Sequence, residues 1–368
     1  MKLPDPADCP HPASNRPTHG GNRRWAAQYA HCPPEAILDF SASINPLGPP
    51  PSVMAALATS LNHLQAYPDP GYDRLRQSLS EVHGLPMDWI LPGNGAAELL
   101  TWIGRELAQL DTTYLVTPAF ADYHRALSAF DGHVTPCPID LAAGPPNLVA
   151  PIPVSPQTSA CGLLLNNPHN PTGTLMPRDD LLPYLERFAL VVVDEAFMDF
   201  LPPDQQQSVL DLVLDWPNLI VLRSLTKFYS LPGLRLGYAI GHPRYLHRWQ
   251  RWRDPWPVNT LAEAAAIAAL QDHTFQQQTW AWLPPSRQSL IAGLQALPGL
   301  IPLPGAANFL LVNTEMPGSQ LQRALLQSHQ ILIRDCLSFP ELGEGYVRLA
   351  VRLPDENDRL LTSLAQIL

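Results

Sequence analysis

The sequence predicts an α/β fold, with a mostly parallel central sheet covered by helices on both faces and a smaller α+β domain beside it. Three observations lead to this prediction. The chain has 368 residues, enough for two domains or for a large domain with a smaller one. From about residue 50, helical periodicity alternates with short segments that are apolar throughout, as in parallel sheets buried on both faces. After about residue 250, this alternation gives way to long helices rich in Ala, Leu and Gln.

The individual elements follow from the spacing of apolar residues. The first region is predicted to contain helices, with apolar residues three or four positions apart, at 52–64, 72–82, 96–109, 122–130 and 178–188. Its predicted strands are short apolar runs at 114–117, 162–165, 190–193, 219–223 and 237–240. The second region is predicted to contain helices at 260–270 and 286–297, strands at 308–312 and 346–350, and a last helix from Glu356.

We expect two domains from this arrangement. The large domain is predicted to span 46–250, and the small domain to combine 1–45 with 251–368. The N-terminal segment is too short to bury a core of its own, so we expect it to pack on the C-terminal part.

Composition and charge narrow the classes of function. The formal net charge is −10 and no basic run occurs, which argues against a nucleic-acid partner. The five cysteines are scattered without a C-x-x-C pair, the pattern of a reduced cytosolic protein rather than of a disulfide framework or a metal site. No apolar run approaches the ~18 residues that span a bilayer. We therefore expect a cytoplasmic protein that binds neither metal nor membrane.

Lysine is scarce in this chain. Only two of the 23 basic side chains are lysines, and Lys227 is the one away from the N-terminus. A primary amine can lose its proton when buried and attack a carbonyl to form a Schiff base, which a guanidinium cannot do. On composition alone, Lys227 is equally a chance survivor at a helix end.

Four segments place functional-looking residues where strands end or helices begin, the edge at which open α/β sheets bind ligands. Residues 92–98 read PGNGAAE, a glycine-bracketed turn before a helix that suits an anion. Residues 165–173 read LNNPHNPTG, a proline-fixed loop with amide side chains. Residues 191–197 read VVVDEAF, a strand that ends in acids and equally suits magnesium or a nucleotide. The fourth segment holds Lys227, with Arg235 eight residues later.

Together and in this order, the four segments resemble the fold-type I pyridoxal 5′-phosphate enzymes, the aspartate-aminotransferase superfamily, over roughly residues 40–350. The resemblance implies both that fold and that cofactor. It implies that Lys227 is the catalytic lysine that binds the cofactor covalently. Asp194 is similar to the residue that keeps the pyridine nitrogen protonated, so that the ring can accept electrons. Asn170 is similar to the donor that contacts the ring hydroxyl.

The resemblance also implies the remaining cofactor contacts. The residues that correspond to the phosphate cup are Gly95, Ala96, Ser224, Thr226 and Arg235. Phe120 resembles the aromatic residue that stacks on the pyridine face. Tyr67 resembles the tyrosine that reaches the phosphate in the neighbouring subunit, which implies a homodimer.

Two families within the superfamily compete. Four segments resemble the threonine-phosphate decarboxylases of cobalamin synthesis: residues 19–22 (HGGN), 38–48 (LDFSASINPLG), 333–336 (IRDC) and 346–352 (YVRLAVR). Phe197 agrees, because the histidinol-phosphate aminotransferases usually carry tyrosine there. The resemblance therefore implies a decarboxylase acting on L-threonine O-3-phosphate, with the aminotransferase as the alternative. A non-catalytic regulator is a third reading, but the chain has neither the length nor the basic charge for an added DNA-binding domain.

The substrates of the two families differ in charge. The amino-acid phosphate carries a carboxylate and a phosphate, whereas histidinol phosphate carries only the phosphate. By resemblance, Arg348 holds the carboxylate, and Arg334 with His19 holds the substrate phosphate. Without the resemblance, arginines at such positions more often pair with surface acids, and a histidine such as His19 is more often solvated than a ligand.

Two positions depart from the decarboxylase pattern. Ser43 stands where asparagine is common, in the segment that contacts the substrate phosphate, and a serine reaches less far. Glu341 stands where glycine is usual, in the loop after Phe339. The phosphate contact and the closure of this loop stay open at this point.

Overall fold

The computed structural model of the chain describes residues 16–141, 146–154 and 156–368. Residues 1–15, which belong to the expected small domain, lie outside the described residues. In chain order the strands are β1 (Leu38–Asp39), β2 (Ile90–Asn94), β3 (Thr113–Thr117), β4 (Val134–Pro138), β5 (Gly162–Asn166), β6 (Leu190–Asp194), β7 (Leu219–Ser224), β8 (Leu236–Gly241), β9 (Leu300–Pro302), β10 (Phe309–Thr314), β11 (Ile331–Leu332), β12 (Arg334–Asp335) and β13 (Tyr346–Ala350). The α-helices are α1 (Arg23–Ala30), α2 (Pro51–Ser60), α3 (Asp73–His83), α4 (Gly95–Leu107), α5 (Ala121–Ser128), α6 (Leu182–Leu185), α7 (Leu225–Phe228), α8 (Pro243–Trp252), α9 (Thr260–Leu270), α10 (His273–Gln295), α11 (Gly318–His329) and α12 (Pro354–Ala365).

The central sheet of the described chain has seven strands in the order β2-β8-β7-β6-β5-β3-β4. Strands β7, β6, β5, β3 and β4 run parallel, and β8 runs antiparallel to both of its neighbours. Alternate residues of β6 bury against different cores: Val192 packs with α4, α5 and α8 on one face, whereas Val191 and Val193 join the larger core on the other. The predicted fold, a mostly parallel sheet covered on both faces, is confirmed.

Strands β2 and β4 were not predicted, and they are the two edges of the central sheet. Each carries proline, Pro92 in β2 and both Pro136 and Pro138 in β4. A proline has no N–H to donate. A central strand needs its N–H groups for the neighbouring strands on both sides, whereas an edge strand has a free side, so prolines in sheets are found mainly at edges. These prolines interrupt the apolar pattern by which strands are predicted, and the sheet tolerates them because β2 and β4 are edge strands.

The smaller sheet is antiparallel, in the order β12-β13-β10-β9. The N-terminal segment packs on this part of the chain, as expected: β1 pairs in parallel with β11, and α1 packs against α11. Helix α9, which follows residue 250, packs on α2 and α3. The exact bounds of the two domains stay a prediction.

The predicted helix at 286–297 is wrong in its start. Helix α10 begins at His273, where the side chain of Asp272 accepts a hydrogen bond from the N–H of Phe275, and it continues through Pro284 and Pro285. Its buried face runs on across the two prolines, from Phe275 to Leu290 and beyond. Tertiary burial of this face outweighs the local helix-breaking tendency of proline, which is why the sequence alone misplaces the start. None of the helices in the described ranges combines the length and hydropathy of a membrane-spanning helix.

Candidate active site

A cavity of about 410 Å³ lies where the carboxyl ends of the parallel strands meet the N-terminus of α4 and the small sheet. The last residues of β5, β6 and β7, namely Asn166, Asp194 and Ser224, all line it. The predicted site residues that line this cavity are His19, Ser43, Gly95, Ala96, Phe120, Asn170, Asp194, Ser224, Thr226, Lys227, Arg235, Arg334 and Arg348.

Tyr67 is the predicted site residue that does not line the cavity of its own chain. Its side chain is 78% exposed, and its ring stacks on Trp256 with 4.4 Å between the ring centroids. The role predicted for Tyr67 needs a second copy of the chain and stays a prediction.

Asp194 ends β6 and is fixed by two donors. The hydroxyl of Tyr123 donates to Oδ2 over 2.9 Å, and the N–H of Ala196 donates to Oδ1 over 2.9 Å. Burial raises the pKa of Asp194 above its ordinary value, whereas these two hydrogen bonds and the charge of Lys227 oppose that rise. A cationic partner at this carboxylate would stabilise its ionised form further.

Lys227 lies in the short helix α7, which follows β7 without an intervening loop. The pKa of Lys227 is lowered to about 8, chiefly by burial; the charge of Asp194 opposes this shift, and the charges of Arg235 and Arg348 contribute to it. About a tenth of the amine is therefore neutral at pH 7, far more than at the ordinary lysine value. A neutral amine is the form that attacks a carbonyl.

The segment 92–98, predicted to be an anion-binding turn, contains no separate loop between strand and helix. Strand β2 runs to Asn94, and α4 begins at the next residue, Gly95, whose φ is +73°. A Cβ on Gly95 would lie 2.6 Å from Nη2 of Arg235. Glycine therefore keeps open the space between the N-terminus of α4 and this guanidinium.

The other wall of this anion cup comes from the residues around Lys227. The hydroxyls of Ser224 and Thr226 lie 2.7 Å apart and hydrogen bond to each other. Arg235 adopts a left-handed backbone conformation with φ of +60°, which is strained for a residue other than glycine. Two hydroxyls, a guanidinium and a helix N-terminus thus converge on one end of the cavity.

Arg348 projects from β13 toward the cavity. Its Nη1 donates to Oδ1 of Asn170, and its Nη2 donates to the carbonyl of Ser41 over 3.2 Å. Burial lowers the pKa of Arg348 to about 10, and the charge of Arg334 adds to this effect. Because Oδ1 of Asn170 accepts from Arg348, the amide nitrogen of Asn170 is the atom left to donate to a ligand.

Arg334 lies opposite Arg348 in the pairing of β12 with β13. Its Nη1 donates to the carbonyl of Pro17 over 3.3 Å, and its Nη2 donates to the carbonyl of Thr18 and the hydroxyl of Ser338. Burial lowers the pKa of Arg334 from its ordinary value. These contacts attach the segment of residues 16–22, here called the N-terminal strap, to the small sheet.

The N-terminal strap carries His19 to the cavity wall. The ring of His19 lies against Phe120 with 5.6 Å between centroids. The N–H of Gly21 donates to Oγ of Ser41 over 2.8 Å, and a Cβ on Gly20 would lie 2.1 Å from the carbonyl oxygen of Ser41. The strap thus crosses Ser41 in direct backbone contact, and only glycine fits at the crossing.

The two departures from the decarboxylase pattern have different settings. The hydroxyl of Ser43 is buried and has no hydrogen-bond partner within the described residues, so it is free to meet a ligand. Glu341 is exposed in the turn after Phe339, whose ring side lines the cavity. The side chain of Glu341 is therefore outside the cavity and does not reduce its volume.

Sequence reasoning missed Tyr123, which orients Asp194. The signal was present, because Tyr123 lies three residues after Phe120 in the first turn of a helix that follows a strand. It also missed Thr18 and Ser338, which become partners of Arg334 only through the folding of distant segments. Among the described residues, no group of three His, Cys, Asp or Glu side chains is arranged to hold a metal ion.

Residues 35–364 match the family of class I and class II aminotransferases. The chain belongs to this family. A curated relative, the threonine-phosphate decarboxylase of Salmonella typhimurium, is 40% identical over 355 residues, which cover 95% of this chain and 96% of the relative. Both lengths are thus matched almost completely.

Solved structures of the family agree with the fold. The L-threonine-O-3-phosphate decarboxylase from Porphyromonas gingivalis has 25% identity and a TM-score of 0.78, covering 89% of this chain and 98% of its own. The histidinol-phosphate aminotransferase from Clostridium acetobutylicum has 27% identity and a TM-score of 0.82, covering 90% and 99%. The fold implied by the sequence resemblance is confirmed, and both competing families appear among the relatives.

The residues present fit pyridoxal 5′-phosphate, the cofactor that the resemblance implied. The cup of Gly95, Ser224 and Arg235 suits its phosphate, since Gly95 leaves room where a Cβ would fill the cradle. The fixed carboxylate of Asp194 suits the ring nitrogen, and the amine of Lys227 suits the aldehyde. The cavity thus holds a carboxylate, an amine and an anion cup. These three groups match the ring nitrogen, the aldehyde and the phosphate of the cofactor.

Proposed function

We propose that the protein is a pyridoxal-phosphate-dependent carboxy-lyase that converts L-threonine O-3-phosphate into CO2 and (R)-1-amino-2-propanol phosphate. The observation that carries the proposal is the pair Arg334 and Arg348, two buried guanidiniums on paired strands in the same cavity as Lys227. Two guanidiniums suit a substrate with two anions. The decarboxylase relative with 40% identity supports the same substrate. The product fits cobalamin biosynthesis, the pathway of the family that the sequence resembles.

When bound, pyridoxal phosphate supplies an electron sink for the Cα bond that stands perpendicular to its ring. Arg348 selects that bond by fixing the substrate carboxylate. Its guanidinium is held by Asn170 and Ser41, so its remaining N–H groups point in a fixed direction. The direction in which Arg348 holds the carboxylate would therefore decide between loss of CO2 and loss of the Cα hydrogen, the latter being what transamination requires.

Arg334 and His19 hold the other end of the substrate. Burial, followed by the charge of Arg334, lowers the pKa of His19 from its ordinary value, and a protonated ring nitrogen of His19 would donate to the phosphate. The phosphate dianion meets Arg334 in competition with the carbonyls of Pro17 and Thr18. Ser43, whose hydroxyl is free, adds a short donor at the same wall.

Lys227 moves protons in the cavity. Its lowered pKa of about 8 lets Nζ both accept and release a proton near neutral pH. We assign to Nζ the covalent hold on the cofactor between turnovers and the proton transfers with the substrate amine.

The test uses purified protein loaded with pyridoxal phosphate. With L-threonine O-3-phosphate we expect stoichiometric CO2 and amino-propanol phosphate. In parallel, histidinol phosphate with 2-oxoglutarate is expected to give no glutamate. Glutamate without CO2 would replace the proposal by the alternative, histidinol-phosphate aminotransferase, which the solved structure with a TM-score of 0.82 keeps in view. Neither product would overturn both.

We also propose a homodimer in which Tyr67 reaches the cofactor phosphate of the partner. Exposed apolar side chains accompany Tyr67 along the chain and across the ring stack: Met54 is 55% exposed, Leu61 55%, Leu64 57% and Trp256 41%. Exposed large apolar side chains of this kind, two of them stacked on each other, are typical of an interface. The predicted cytoplasmic location also stays a prediction.

The dimer proposal is tested by mixing two inactive variants, Tyr67→Ala and Lys227→Ala, after denaturation and refolding together. A site shared between subunits gives hybrid dimers with one intact site, so activity returns to roughly a quarter of wild type. Sedimentation of the wild-type protein as a monomer, or no recovery beyond the separate variants, would rule out the sharing.

A further inference from the structure

A buried cluster of charges lies behind the active site, on the other face of the central sheet. Successive strand residues point to opposite faces. Asp194 and Ser224 line the cavity, and the residues next to them, Glu195 and Arg223, do not. Instead Glu195 and Arg223 meet each other, with 0% and 1% of their side chains exposed.

One guanidinium connects three separate acceptors in this cluster. Nη2 of Arg223 lies 2.9 Å from Oε2 of Glu195 and donates to Oγ of Ser208 over 2.9 Å, while Nη1 donates to Asp199. Glu195 is satisfied further by Ser208, which donates to Oε2 over 2.7 Å, and by the N–H of Val209, which donates to Oε1 over 2.8 Å. The side chain of Asp199 is 21% exposed, so it is the rim of the cluster.

Stability alone is a weak reason for such a cluster. Removing two charges from water costs several kcal/mol per ion, and well-packed apolar replacements are often neutral or stabilising. A buried ion pair does, however, impose a direction that apolar contacts do not. The segment it directs is 195–199, because Arg223 binds the residues at both of its ends.

That segment positions two walls of the active site. Asp194 precedes it, and Ala196 within it donates to Asp194 over 2.9 Å. Phe197 lines the cavity, with its ring centroid 6.0 Å from Nζ of Lys227 and an edge contact to Phe309 of the small sheet. A shift of residues 195–199 would therefore move both the carboxylate and the aromatic wall beside the catalytic amine.

We propose that Arg223 is a positioning residue, which fixes segment 195–199 through Glu195 and Asp199 and thereby sets the placement of Asp194 and Phe197 against the cofactor. The proposal rests on the proposed function for its kinetic readout. It acts through the backbone, because the charges that reach Lys227 are those of Asp194, Arg235 and Arg348.

The test compares two variants of the holoenzyme, Arg223→Lys and Asp199→Asn. Lysine keeps the charge but cannot bind Glu195 and Asp199 with a planar fork. We expect kcat for CO2 release to fall about 10- to 100-fold, the loss that a misplacement on the order of 1 Å causes, with KM for threonine phosphate within about twofold. Asp199→Asn, which keeps the pair with Glu195, gives a smaller loss in the same direction.

Two readouts separate positioning from a merely structural role. The induced circular dichroism of the bound cofactor, divided by its absorbance, is expected to change in Arg223→Lys, because it reports the orientation of the ring in the protein. Some turnovers end in transamination and leave the enzyme inactive until pyridoxal phosphate is added. The fraction of such turnovers is expected to rise in Arg223→Lys. The control is Glu106→Gln, which weakens the ion pair of the buried Glu106 with the partly exposed Arg248, away from the cavity.

Several results decide the proposal. It is overturned if Arg223→Lys lowers only the unfolding temperature, as Glu106→Gln does, while kcat, the rescued fraction and the circular dichroism keep their wild-type values. If Arg223→Lys does not fold, Asp199→Asn decides by the same readouts. If wild-type protein releases no CO2, the proposed function fails, and the circular dichroism of the variants still supports or overturns the positioning role.

Discussion

The two ends of the active-site cavity are built in different ways. At the cofactor end, Asp194 and Ser224 end adjacent parallel strands, and Lys227 follows in the next turn. At the substrate end, Arg334 and Arg348 come from the small sheet, and His19 comes from the N-terminal strap. The cofactor end is thus part of one rigid sheet, whereas the substrate end is assembled from segments about 300 residues apart.

This difference assigns different tasks to the two ends. Changes at the cofactor end are expected to remove catalysis of every kind. Changes at the substrate end are expected to leave the cofactor bound while they alter affinity and the choice of the bond that breaks. The following predictions test that separation, beginning with the largest effect.

Lys227→Ala is expected to lower CO2 release by at least about a thousandfold, because the acid–base and nucleophilic amine is lost. The visible absorbance of the covalently attached cofactor is expected to disappear, and borohydride to trap no cofactor on the peptide that contains position 227. The matched control is Lys2→Ala, which removes the other lysine and is expected to behave as wild type. Activity in Lys227→Ala would contradict the assignment of the cofactor end.

Arg348→Lys is expected to lower kcat/KM about 100-fold, since a charged hydrogen bond contributes about 1.5–3 kcal/mol and lysine cannot bind a carboxylate with two prongs. The cofactor absorbance is expected to stay at its wild-type value, and the share of transamination per turnover to rise. Arg352→Lys, on the same segment but paired with Glu356 over 2.8 Å, serves as the control. Loss of the cofactor in Arg348→Lys would show that the two ends are not separate.

The rate of cofactor attachment to the cofactor-free protein is expected to follow the protonation of Lys227. The attacking form is the neutral amine, and burial lowers its pKa to about 8. The rate should therefore rise about tenfold per pH unit below pH 7 and level off above about pH 9. Stopped-flow absorbance measures it, and a rate still rising steeply at pH 10 would mean that the amine has an ordinary pKa.

Gly20→Ala is expected to raise KM for threonine phosphate about fivefold, with little change in kcat. A Cβ at this position would lie 2.1 Å from the carbonyl oxygen of Ser41, so the strap must shift, and overpacking costs about 1 kcal/mol or more. Gly345→Ala, where a Cβ meets nothing within 4 Å, is the control. Equal KM values in the two variants would leave the strap without a part in substrate binding.

Part of the cofactor end could be predicted from sequence, because Asp194 and Ser224 each end a recognisable apolar strand. Asp194 and Ser224 follow buried runs, and parallel strands bring their carboxyl ends to one edge. Tyr123 was missed although it follows Phe120 by three residues, because its partner Asp194 lies in a different element, 71 residues away. The edge strands β2 and β4 escaped because their prolines mask the strand pattern.

The substrate end could be named only by resemblance. Nothing in the spacing of His19, Arg334 and Arg348 predicts that they meet, since their meeting depends on how the strap crosses the small sheet. The partners of Arg334 are backbone carbonyls of Pro17 and Thr18, and a carbonyl leaves no trace in a sequence. Tyr67 lies outside the cavity of its own chain, and its role depends on a second copy.

Because lysine is scarce in this chain, the number of cofactors bound per chain can be measured with little interference from other amines. Pyridoxal phosphate attaches without selectivity to surface amines in most proteins, which blurs the count of cofactors per chain. Here the chain offers Lys227, Lys2 and the terminal amine alone. Reduction with borohydride followed by peptide mass analysis should therefore give a clean occupancy for Lys227, because its peptide is distinct from the one that holds Lys2 and the terminal amine.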